Sequence, residues 1–101
     1  MFVYNLTIKV DKEISPQCIK WLQQEYIPEI MATKLFFDNK FFQLVEPDDP
    51  DASTFVLQHF TDSKEKYTDY IDKHLPSITK QAVKKWGNNF IAFKTLMQTV
   101  Q

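Results

Sequence analysis

Arginine is absent from this chain: all twelve of its basic residues are lysine. The planar fork that grips phosphate, carboxylate or a guanine edge through paired hydrogen bonds is therefore missing. Net charge is −1 and the pI is near 6.1, so no bulk positive field draws in nucleic acid or an anionic membrane. Neither kind of partner is expected. Glycine occurs once, at Gly87, which excludes a phosphate-cradling glycine loop and a dinucleotide fingerprint. The single cysteine, Cys18, excludes an intramolecular disulfide and a thiolate metal cage within one chain. It falls in a helical pattern and reads as a buried, inert thiol. No apolar run approaches the roughly twenty residues that span a bilayer. The start, Met1-Phe2-Val3-Tyr4, shows no basic leader or cleavage site, so a soluble cytoplasmic protein is expected.

What the chain does have is aromatic mass: 15% of its residues, nine of them Phe. That much ring area implies a core or a cavity lined with rings. A chain of 101 residues makes one domain, residues 1–101, and buries about two-thirds of its unfolded surface without staples.

Periodicity gives the order strand, helix, strand, strand, helix, strand. Phe2, Tyr4, Leu6, Ile8 and Val10 alternate with Val3, Asn5, Thr7 and Lys9, a strand with one strongly apolar side. Ser15-Pro16 reads as a helix cap and first turn, and Pro28 interrupts that helix in favour of a shifted second turn. Leu35 to Val45 reads as the second strand, with a bulge at Asp38-Asn39. The acidic loop Glu46 to Asp51 joins it to a third strand, Thr54 to Phe60. Asp62 and Glu65 resemble a capping box, Pro76 breaks the following helix, and Gly87 stops its second segment before a last strand, Phe90 to Val100.

Two strand–helix–strand units predict an α+β, ferredoxin-like βαββαβ fold. Its antiparallel sheet has four strands, with the first and third central and helices on one face. The edge strands are apolar on both parities: Phe37 and Phe41 against Phe36, Phe42 and Leu44, and Ile91 and Phe93 against Phe90 and Leu96. Something must cover the open face. A second copy is the simplest cover, giving a homodimeric α/β barrel through that face. Asn5 and Thr7 place polar groups in this apolar wall. They mark either a small-ligand cavity between sheet faces or a pair that hydrogen-bonds to itself, water or the partner chain.

Among candidate groups, His59 lies on the third strand, where it is either a base in the cavity or a satisfied core histidine. His74 ends a helix, where free carbonyls favour it. Two histidines without a carboxylate partner at ligand spacing point to no metal site, and no cofactor is expected. The acidic loop lacks the ligand spacing and the glycine of a calcium loop. Trp21, Trp86, Tyr67 and Tyr70 recur at helical spacing and read as core packing. Lys94 interrupts an apolar strand, either snorkelling to the rim or offering an ammonium to an anionic ligand.

Three stretches carry a resemblance: Val3-Tyr4-Asn5 with Thr7 and Lys9-Val10; Tyr26-Ile27-Pro28-Glu29-Ile30-Met31-Ala32-Thr33 with Leu35-Phe36; and Phe93-Lys94-Thr95-Leu96. Together they resemble a bacterial family known only as domain of unknown function 4286. That family belongs to the dimeric α/β-barrel superfamily, alongside antibiotic-biosynthesis monooxygenases. The resemblance implies a homodimeric small-ligand domain without established catalysis. Its alternative is a cofactor-independent monooxygenase or isomerase acting on an aromatic or quinone-like substrate. In that case Asn5 would orient a substrate oxygen, His59 would move a proton and Tyr26 would donate to an oxyanion. The family tends to have His in place of Tyr26, Gly in place of Lys34 and Arg in place of Lys94. A phenol ionises near pH 10, so Tyr26 puts such proton chemistry in doubt.

Overall fold

The computed structural model describes residues 1–101. Four strands and four helical segments follow one another as β1 (Phe2–Asp11), α1 (Ser15–Trp21), α2 (Ile27–Ala32), β2 (Asp38–Gln43), β3 (Ala52–Thr61), α3 (Lys64–Lys73), α4 (Leu75–Trp86) and β4 (Phe90–Gln98). The sheet is antiparallel with the order β2-β3-β1-β4, so β1 and β3 are central as the alternation requires. All helices lie over one face. Tyr4, Leu6, Ile8 and Val10 of β1 bury against them together with Phe55 and Leu57 of β3 and Cys18, Leu22, Ile30 and Ile78 from the helices. No helix is long and apolar enough to cross a membrane.

Local chemistry moved several boundaries. The first helix does not break at Pro28. Leu22–Tyr26 widens into a π-helical turn and the chain continues as α2 with Pro28 in its first turn. Proline has no N–H to donate and its ring crowds the carbonyl four residues back, here Gln24; the wider turn around Gln24 relieves both problems. Ser15 is not a cap: it is already helical and buried, and Ile14 stands in the cap position. The cap of α3 is Ser63, one residue beyond the expected Asp62. Ser63 is extended, accepts the Lys66 N–H at 3.3 Å and donates to Glu65 Oε2 at 2.9 Å, while Asp62 pairs with the Lys66 ammonium at 3.3 Å.

The second strand is shorter than Leu35 to Val45. Lys34 takes a left-handed conformation (φ 65°) just past the end of α2, and the Leu35 N–H bonds the Thr33 hydroxyl at 3.3 Å. Leu35–Phe37 is therefore the helix exit. Phe36 turns inward, with its ring 5.8 Å from that of Tyr4, and Phe37 N–H already reaches the Phe60 carbonyl at 2.9 Å. Gly87, at φ 60°, ends α4 as expected.

Across the ladders, directly opposed residues share a face. Thr7 opposes Phe93 and Val56, and Val56 in turn opposes Phe42. These residues stand on the face away from the helices, where Phe42 is 47% exposed and Phe93 63%. Ile91, Leu44 and Met97 join them. This is the uncovered apolar sheet face that the edge strands imply.

Candidate functional site

A cavity of about 250 Å³ opens between α4 and β4, on the helix side of the sheet. Two structural features place its polar side chains. The π-helical turn ends at Tyr26, which the wider backbone delivers beside Trp21 (5.1 Å between rings) and Phe90 (6.4 Å). Register does the rest on β4. Lys94 opposes Leu6, a helix-side residue, so its ammonium stem rises beside the cavity rather than over the open face. Tyr4, Leu6, Ala82 and Phe90 line the apolar interior, and Lys94 is the one charged residue on the lining.

Electrostatically the interior is neutral. Burial pushes the Tyr4 and Tyr26 phenols up, well above the ordinary range for a phenol; Tyr26 for Tyr4 and Glu29 for Tyr26 add smaller contributions. Tyr70 is displaced in the same direction by burial, then by Tyr4 and Tyr26. The Tyr4 and Tyr70 hydroxyls perturb each other's ionisation, yet neither meets the geometry of a hydrogen bond, and both are buried without a partner. Both phenols are hydrogen-bond donors at neutral pH.

The residues singled out from the sequence divide between two faces. Tyr26 and Lys94 meet at the cavity. Asn5 and Thr7 do not: they stand on the open face, where Asn5 Nδ2 donates to Thr7 Oγ1 and Gln58 Nε2 donates to Asn5 Oδ1, both at 3.4 Å. The polar patch in the apolar wall is thus a local hydrogen-bonded trio, and the cavity within one chain lies under the helices.

His59 opposes Tyr4 and faces the helices, fully buried, its ring 6.2 Å from Tyr4 and 5.5 Å from Phe36. Asn5 and His59 therefore share no cavity, and a proton-transfer pair built from them loses its base. Burial alone lowers the His59 pKa to about 4, which keeps the ring neutral. His74 lies along Tyr70, 6.2 Å ring to ring, at the joint between α3 and α4. Cys18 is buried, and burial pushes its thiol up to about 11. No three His, Cys, Asp or Glu side chains converge as metal ligands.

Tyr4 and Ala82 also line the cavity, and neither stood out as a site residue in the sequence. One signal marks Tyr4: among the helix-facing residues of β1 it alone carries a polar tip, which an interior position must satisfy. Ala82 carries no such mark; its small side chain leaves space that only the packed structure reveals.

Several solved structures share this fold. A variant of MhuD with two manganese protoporphyrin IX molecules bound per active site is 16% identical, with a TM-score of 0.71, covering 100% of this chain and 96% of that one. A dimeric ferredoxin-like protein from an uncultured marine organism is 17% identical, with a TM-score of 0.65, covering 100% and 96%. An ethyl tert-butyl ether family protein from Bacillus halodurans C-125 is 13% identical, with a TM-score of 0.69, covering 99% and 100%. At such identities the likeness is one of fold. No curated protein matches the chain at a significant level. A family model matches residues 1–100, and the chain belongs to that family, described as Domain of unknown function (DUF4286).

Proposed function

We propose that the protein is a homodimeric binding domain. Two copies pair through the open sheet face, and each holds a small, largely apolar molecule in the cavity between sheet and helices. The observation that carries the binding reading is the cavity itself: about 250 Å³, apolar on most of its lining, with Lys94, Thr79 and the Tyr26 phenol among its polar features. Such a site is the usual form of a small-molecule pocket, with few polar groups fixing orientation inside an apolar wall. An apolar cavity of about 150 Å³ already holds benzene, so a single substituted ring fits.

The dimer reading rests on Phe42, Leu44, Ile91, Phe93 and Met97, all exposed on one sheet face. A contiguous apolar patch on a monomer is an interaction surface, and a second identical sheet offers the complementary one. Neighbours of this fold described as dimeric ferredoxin-like proteins support the same arrangement.

Native mass spectrometry of freshly purified protein tests both halves. A mass near twice 12.0 kDa is expected, with a reproducible small adduct. Phe93→Lys is expected to give monomer, because its ammonium would be buried against the partner sheet. Ala82→Phe is expected to keep the dimer and lose the adduct. A monomeric wild type overturns the pairing, and an adduct retained in Ala82→Phe moves the binding site out of the cavity.

A further inference from the structure

The cavity is a groove with one polar end. Leu75, Thr79 and Val83 line it at four-residue spacing along α4, a single stripe about 12 Å long. Phe90, Ala92 and Lys94 line it from β4 at alternate positions, over about 13 Å. Gly87–Asn89 turns the chain directly from α4 into β4, so the two walls run in opposite directions. Val83 therefore lies toward Phe90, and Thr79 toward Lys94. Depth is graded as well. Leu6, Tyr26 and Ala82 are buried on the floor, whereas Thr79, Val83, Ala92 and Lys94 are exposed along the rim.

The groups at the polar end are free. No salt bridge holds the Lys94 ammonium, and no carboxylate lines the groove. Helix α4 carries no acidic residue, and its Lys80, Lys84 and Lys85 add to the positive field around the mouth. The Thr79 hydroxyl is not bonded back onto its helix, unlike that of Thr68 on α3, which donates to the Lys64 carbonyl at 3.1 Å. The opposite end offers apolar contact from Phe90 and from Val83, which is 59% exposed. Tyr26 lies beside Phe90, 6.4 Å ring to ring, and burial keeps its phenol uncharged.

We propose that the groove takes a medium-chain fatty acid, its carboxylate at the rim between the Lys94 ammonium and the Thr79 hydroxyl and its chain running between α4 and β4 toward Phe90. This assignment rests on the cavity being the binding site. The direction of the ligand follows from the placement of the walls: the one cation and the free hydroxyl share one end, and the other end has no charge to meet an anion. Lysine supplies a single point charge, the match for a single carboxylate. The exposed rim leaves that head partly hydrated, so its desolvation cost stays small while the chain leaves water. The chain also covers Val83, an apolar side chain otherwise left in solvent.

Octanoate, octan-1-ol and octylamine share one chain and differ in head charge. Each is titrated below its micellar concentration into the intact protein and followed by methyl NMR at Leu6, Ala82 and Ala92. Octanoate is expected to bind roughly tenfold more tightly than octylamine, with octan-1-ol between them. Lys94→Glu is expected to invert that order while leaving octan-1-ol unchanged, which also shows that the variant folds. Thr79→Val, which keeps the shape of the side chain, is expected to weaken octanoate about threefold. Contacts from the terminal methyl of octanoate should reach Ala82 and Phe90 rather than Leu75. If all three compounds bind equally, the head has no seat at Lys94 and the proposal fails while the cavity stands. If toluene shifts the same methyl groups and no octyl compound does, the chain class is wrong; if toluene also fails, the cavity reading falls. A preference for octanoate that survives Lys94→Glu places the anion elsewhere and overturns the proposal.

Discussion

Acidification is expected to destabilise this protein through His59, and the size of the effect follows from its surroundings. The imidazole is fully buried, flanked by the rings of Tyr4 and Phe36, and both its nitrogens lack a partner. Burial alone lowers its pKa from 6.5 to about 4. In the unfolded chain the ring takes up a proton as pH falls through about 6.5; in the native state it does so only near 4. Between those values the unfolded state holds more protons, so stability falls as pH falls. The contribution is fully present above the unfolded pKa and is lost by the time pH reaches the folded one. At about 1.4 kcal/mol per unit, pH 4.5 costs roughly 2–3 kcal/mol relative to pH 7.5.

Carboxylates lose stability over part of the same range, so the wild type must be compared with His59→Leu, which fills similar space and cannot titrate. Urea unfolding at four pH values between 7.5 and 4.5 gives the difference directly. At pH 7.5 the variant is expected within about 1 kcal/mol of wild type, since two orphaned nitrogens leave with the ring. At pH 4.5 it should be the more stable by roughly 2 kcal/mol or more. Parallel stability curves for the two proteins would refute the reasoning and mean that His59 finds a partner or water in solution.

Two further outcomes follow from helix ends. Lys34→Gly is expected to raise stability by about 0.5–1 kcal/mol in urea unfolding, because a left-handed residue with a Cβ costs about 1–2 kcal/mol and glycine's extra chain entropy returns part of it. Ser63→Ala is expected to lower it by about 1 kcal/mol, through loss of the bond from the Lys66 N–H, and a change within experimental error would show that α3 draws nothing from that cap.

The strand order, the single-face helix layer and the open apolar face were all legible, because period-two alternation in Phe2–Val10 and its doubling on the edge strands are direct consequences of which faces are buried. The exit from α2 was not. Leu35-Phe36-Phe37 has the composition of a strand, and only the left-handed turn at Lys34 and the Thr33 hydroxyl bond show that it is a loop. A residue at the end of a helix that must adopt positive φ is usually glycine, and lysine at position 34 hid that turn.

The candidate site was half legible for a similar reason. Lys94 stood out as a charge in an apolar strand, and its register with Leu6 places it at the cavity. The parity of β3 decides the face of His59, and nothing in Thr54–Phe60 alone distinguishes one apolar parity from the other: Phe55 and Leu57 stand on one parity, Val56 and Phe60 on the other. Asn5 and Thr7 drew attention as polar groups in an apolar wall, a signal that a hydrogen-bonded trio with Gln58 produces as readily as a ligand cavity does.

Methyl NMR of the intact protein titrated with toluene tests the central claim most directly, because side-chain methyl groups report on one sheet face at a time. Leu6, Ala82 and Ala92 line the cavity, whereas Val56 and Ile91 stand on the open face. Shifts are expected to concentrate at the first three and to saturate together, with Val56 and Ile91 unmoved. Saturating shifts confined to Val56 and Ile91 would contradict it and place the binding site on the sheet face opposite the helices.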